Sequence, residues 1–213
     1  MSSLVGVDQG VHDALDAEPA LRAACGRLAG RGLAPSWIVT HVVSDDGGAH
    51  VAYALDLPDA GALSDADLAA LVADAFSPDA HPGDVAPHAH DHDLPGPASV
   101  VINDVGLGEP HGITGARAAL AAQASGVTGR AVVFPGVDAL RGTLPVSRVT
   151  ETSAVEQVLS LGGPFAPDTP LVTRDHVRPY RQGGRWVLAV QPAIGGALVP
   201  FEDPAPKRCC QDK

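Results

Sequence analysis

Between Ser77 and Pro97 the apolar periodicity of this chain stops, and Pro, Asp and His take its place. Connections in a compact domain are mostly about 4–6 residues long, so such an interval is either a linker or a loop with a task of its own. Ordered structure is expected on both sides of it. The chain then divides into an N-terminal region 1–77, the interval 78–97 and a C-terminal region 98–213, either as separate domains or as one composite domain.

In the N-terminal region, Pro19 suits the first turn of a helix, and Leu21, Cys25 and Leu28 recur at helical spacing before Gly30. The runs Trp37–Val43 and Ala49–Leu55 flank Ser44-Asp45-Asp46-Gly47-Gly48, a hairpin signal. Ser64, with Asp67 three residues on, caps a helix whose apolar face is Leu68, Leu71, Val72 and Phe76. The order is α-β-β-α.

Beyond the interval, Ser99–Ile102, a helix over Ile113–Ala124 and the strand-like Ala131–Phe134 suggest a β-α-β unit. Ser153 and Glu156 have the spacing of a capping box for a helix ending at Gly162. Leu171–Tyr180 and Arg185–Val190 then flank a second Gly-Gly turn. The expected fold class is α+β: a mixed or antiparallel sheet built from two helix-hairpin units plus a β-α-β unit, with helices packed on the sheet.

With 45% hydrophobic and 18% charged residues, the composition excludes a disordered chain. No apolar run approaches the ~20 residues that cross a bilayer, and the N-terminus lacks a signal-peptide pattern. A soluble, cytoplasmic protein without a membrane partner is expected. Cys25 falls in a helix and Cys209 and Cys210 are adjacent, so no disulfide framework is implied.

The net charge of −11 is unevenly spread. Residues 32–116 carry thirteen acids and no Lys or Arg, whereas residues 117–213 carry eleven basic and eight acidic residues. The middle of the chain would repel nucleic acid, which is excluded as a partner. Any anion site belongs to the C-terminal part.

Three constellations could carry chemistry. His81, His88, His90 and His92 alternate with Asp79, Asp84, Asp91 and Asp93. Imidazole and carboxylate are ligands for a divalent metal such as zinc, and the same composition also suits a solvated loop. Asp104, Gly106, Gly108 and Gly112 lie between a strand and a helix, with Asp138 beyond the next strand, a spacing compatible with a nucleotide-type cofactor. Arg174, His176 and Arg178 would share one face of a strand and clamp a carboxylate or phosphate. If the other arginines pair with the acidic middle, Arg174 and Arg178 are the two expected to remain available.

The sequence contains no P-loop, no G-x-S-x-G elbow and no H-E-x-x-H. Three classes therefore stand: a non-catalytic binding or accessory protein whose loop takes a metal ion, a small enzyme using a cofactor or anionic substrate, and a module whose hairpin edges join copies into a homo-oligomer. The first is favoured, because the histidine interval departs furthest from average composition and no nucleophile or base is apparent.

Overall fold

In the segment after Met1, Val5 and Val7 alternate toward one face. That pattern forms a strand absent from the α-β-β-α reading, β1 (Ser3–Val11). The computed structural model describes residues 2–45, 48–77 and 96–205. His81, His88, His90 and His92, and the tail with Cys209 and Cys210, lie outside the described residues. Twelve strands and four α-helices make the described chain α+β and rich in strand. It divides into two compact units, Met1–Phe134 and Pro135–Lys213. Residues 98–134 thus join the N-terminal region.

In the first unit, α1 (Ala14–Gly30) starts where the Asp13 side chain accepts the Leu15 N–H at 2.8 Å, so Pro19 sits inside the helix and not in its first turn. Leu21 and Leu28 are buried, and Cys25 packs half-buried beside them. Burial pushes the Cys25 thiol up to about 12, which keeps it protonated and inert at neutral pH. β2 (Trp37–Asp45) and β3 (Gly48–Leu57) form the expected hairpin. α2 (Asp65–Ala75) begins at Ser64, whose Oγ accepts the Asp67 N–H at 3.2 Å.

β4 (Ser99–Ile102) returns at once into β5 (Val105–Leu107), then α3 (Pro110–Ser125) and β6 (Arg130–Val133) follow. The strand order is β5-β4-β1-β3-β2-β6, antiparallel throughout. From β1 to β4 the chain runs β-α-β-β-α-β with spatial order β4-β1-β3-β2, a ferredoxin-like arrangement. The expected β-α-β is altered accordingly: β5 is inserted, and β1, β3 and β2 lie between β4 and β6.

Register sorts the residues onto two faces. Val5, Val7, Ile38, Tyr53, Leu55 and Ile102 point into one large core with Leu21, Leu28, Leu68 and Phe76 of the α1–α2 layer. The other face carries Gly6, Asp8, His41, His50, Ala52 and Ser99 beneath α3. There α3 comes very close. A β-carbon on Gly6 would overlap the Ala116 carbonyl oxygen and lie 2.9 Å from Leu120 Cγ.

In the second unit the order is β10-β11-β12-β9-β7, with β8 also paired to β11. These strands are β7 (Thr143–Pro145), β8 (Gln157–Ser160), β9 (Pro170–Val172), β10 (Tyr180–Gln182), β11 (Arg185–Pro192) and β12 (Leu198–Pro200). The β10–β11 hairpin is the expected one, turning on Gly183 and Gly184 with φ of 59° and 81°. The helix expected from Ser153 and Glu156 does not form. Ser153 instead follows the short α4 (Ser147–Thr152), the Glu156 carboxylate accepts the Trp186 N–H at 2.8 Å, and residues 157–160 become β8. The second helix-hairpin unit is therefore absent, because partnership with β11 overrides a local cap signal.

Gly6→Ala is expected to lower stability by about 1–3 kcal/mol, since a backbone carbonyl must move to admit the methyl group. Gly26→Ala, on the exposed side of α1 with nothing near its β-carbon, should gain up to ~1 kcal/mol from helix propensity. Urea denaturation of the two variants would separate these effects.

Candidate functional site

The polar residues of the first unit gather where β1 ends. The pairing of β1 with β3 shifts between Asp8 and Val11, and Gly10 takes a φ of 68° in that bulge. Asp8 Oδ1 accepts the Gly10 N–H at 2.8 Å, while Oδ2 lies 2.8 Å from His50 Nε2. Both side chains are at most 4% exposed. A carboxylate held this way fixes the imidazole proton on Nε2 and the orientation of the ring. The His111 ring, from the first turn of α3, stacks on His50 with centroids 5.8 Å apart.

The fit over this pair requires glycine. A β-carbon at Gly115 would overlap Asp8 Oδ2, and one at Gly112 would overlap Ser99 Oγ. Ser99 Oγ also accepts the Glu109 N–H at 3.1 Å, and Pro110 then opens α3 at a position that needs no donor. On the core side, burial and the Asp8 carboxylate together raise the Tyr53 pKa well above its usual value.

The next residue, Gln9, is buried and joins two distant parts of the chain. Its Nε2 donates to the Phe76 carbonyl at 2.9 Å and to the Gly96 carbonyl at 3.2 Å, while the Gly96 N–H donates to the Gln9 carbonyl at 3.0 Å. Phe76, just before the interval 78–97, and Gly96, near its end, are thereby both tied to the β1 bulge. His12 lies just past the bulge, its Nδ1 3.0 Å from the Ala49 carbonyl.

Of the cofactor residues expected from sequence, Asp104 and Gly106 fall on the β4–β5 hairpin, Gly108 on the link to α3 and Gly112 in the first turn of α3, and Asp138 is in the second unit. Gly106 packs against Ile113, and Gly108 and Gly112 against Ser99. These glycines serve helix–sheet contact. Asp138 is exposed and ion-pairs with Arg141 at 2.7 Å.

In the second unit, Leu171–Tyr180 is not one strand. Arg174 and Asp175 adopt φ of 54° and 52°, a left-handed turn between β9 and β10 that cancels the period-two face expected for Arg174, His176 and Arg178. Arg174 is not left available: it meets Asp203 at 3.3 Å. His176 Nε2 lies 2.8 Å from Glu202 Oε1, and Arg178 donates to the Val177 carbonyl at 2.9 Å. Arg181 lies over the Trp186 ring, 4.1 Å from its centroid. A cleft of about 70 Å³ is lined by Arg178, Tyr180, Phe201 and Glu202 among others. Organic ligands generally need roughly 300 Å³ or more.

Sequence reading missed the Asp8–His50 pair and His111. The available signal was Asp8-Gln9-Gly10 breaking the Val5–Val7 alternation, a bulge pattern that re-aims polar side chains. No family model, curated protein or solved structure matches the chain.

Replacing His50 with Ala leaves the Asp8 carboxylate buried with the Gly10 N–H, and about 3–5 kcal/mol of stability should be lost. The double variant Asp8→Ala/His50→Ala should lose less than the sum of the single changes. Denaturant midpoints for the four proteins of the cycle would check both expectations.

Proposed function

We propose that this protein is a non-catalytic binding protein that takes up a divalent cation such as zinc through His81, His88, His90 and His92. The observation that carries the reading is the Gln9 clamp, which ties Phe76 and Gly96, and so both stems of the interval, to one buried bulge. The nineteen residues between Phe76 and Gly96, with their two flanks held together, lose less entropy on wrapping an ion than an open segment would.

The distribution of histidine supports it. The chain has nine histidines, of which four are in the interval and three more, His12, His50 and His111, belong to the bulge and the elements packed against it. The alternation of His88, His90 and His92 with Asp91 and Asp93 supplies nitrogen and oxygen donors suited to zinc, nickel or copper. The catalytic alternative has less behind it: among the described strands of the first unit every pairing is antiparallel, whereas a dinucleotide-binding crevice forms between adjacent parallel strands.

Protein purified without a histidine tag should bind zinc in isothermal titration calorimetry, and His88→Ala/His90→Ala should remove that binding. Gln9→Leu should weaken it while leaving the four histidines in place. Unchanged binding in the double histidine variant would overturn the proposal.

A further inference from the structure

The two faces of the first-unit sheet are covered very differently. α1 and α2 bury a large core of Leu, Ile, Tyr and Phe side chains, whereas the side chains buried under α3 are smaller, Val39, Val43, Ala52, Ala54, Val101, Ala116 and Ala119 among them, with glycine contacts and polar pairs between. Sub-global opening follows the interface with the least buried apolar contact. The α3 interface thus relies on close backbone approach and polar pairing more than on large apolar side chains, so loss of one polar pairing there weighs heavily.

His41 lies at that interface with 2% exposure. Its Nε2 is 3.2 Å from Gln123 Oε1 of α3, and its Nδ1 is buried with no hydrogen-bond partner among the described residues. A β-carbon at Gly129 would sit 2.9 Å from the ring, so the turn after α3 closes over it. An imidazolium carries two N–H donors. Gln123 can accept one, and the other would be left in a dry space, a costly arrangement for a cation.

Among the described residues, no carboxylate is bonded to the ring to offset that cost. α3 contributes His111 and Arg117, both exposed, and the turn 126–129 has no ionisable residue. From β3, Ala52 lies opposite His41, and His50 further along the face is bonded to Asp8 of β1. Arg130 of β6 pairs with Thr40 in register and reaches Glu18 of α1. His41 is thus held neutral in the docked state.

We propose that α3 is an acid-released strap: protonation of His41 frees the helix from the sheet before α1 and α2 open, and bares the face that carries Asp8, His50 and Ala52. The sign follows from proton linkage. Burial lowers the His41 pKa from 6.5, outweighing the opposite effect of Gln123. The opened form therefore binds more protons, and docking is lost as pH falls below 6.5 toward the lowered value and regained as it rises.

Hydrogen exchange read by mass spectrometry between pH 4.5 and 7.5, corrected for intrinsic rates, tests this. Protection of residues 110–125 should fall by up to about tenfold per pH unit below about 6.5, while α1 and α2 stay protected. His41→Gln should flatten that dependence. Gln123→Glu places an acceptor anion beside the ring and should move release to lower pH. Joint loss of protection in all three helices would overturn the proposal, as would an unchanged α3 profile in both variants.

Discussion

The absence of a side chain at Gly6 governs one whole side of the first unit. Because Ala116 of α3 occupies the space a β-carbon would need, helix and sheet meet nearly backbone to backbone. So close an approach admits small residues, and Ala52, Gly112, Gly115 and Ala119 supply them. It also excludes water from any polar group between the layers. Several such groups satisfy one another, as Asp8 does with His50 and Ser99 Oγ does with the Glu109 N–H, while His41 Nδ1 has no partner among the described residues. The polar pairs follow from the close packing.

Stability and chemistry are accordingly segregated. The face toward α1 and α2 carries Leu, Ile, Tyr and Phe side chains whose burial supplies most of the hydrophobic free energy, at about 25 cal/mol per Å². The face toward α3 buries smaller apolar side chains, Val and Ala, and the interface holds three of the histidines, His41 and His50 from the sheet and His111 from α3. A ferredoxin-like arrangement by itself implies no activity. What distinguishes this unit is the histidine-bearing third helix laid on the side that the β-α-β-β-α-β path leaves uncovered.

Much of the first unit was legible. The α2 cap at Ser64, the β2–β3 hairpin and the apolar face of α1 follow from local rules that tertiary contacts reinforced. β1 was missed because its alternation ends after Val7, where the bulge turns Asp8 and Gln9 to other tasks. β5 was missed at Asn103-Asp104, a two-residue turn that joins Ile102 to its partner Val105, with Asn103 at a φ of 49°. Asparagine tolerates that conformation, so the signal was present, but two glycines further on drew the reading toward a strand-to-helix junction. Asp8 and His50 are forty-two positions apart, a pairing no local spacing rule reaches. Only register brings them together.

The second unit shows the limit of period-two reasoning. From Thr173 to Pro179 a basic residue stands at every second position, yet Arg174 and Asp175 leave the extended region and the strand breaks. Thr173 and Asp175 explain the break: Thr173 Oγ1 donates to the Gly142 carbonyl at 2.9 Å, and the Asp175 carboxylate accepts the Gly142 N–H at 2.9 Å. Two side chains thus grip both backbone groups of one glycine, and the chain between them must curl. Once it curls, the guanidinium groups disperse to local partners, Arg174 to Asp203 and Arg181 to the Trp186 ring. The positive balance of the C-terminal part consequently serves its own acids and aromatics before any external anion. Charge counted by region says which sign prevails, but the backbone decides whether like charges converge into a site.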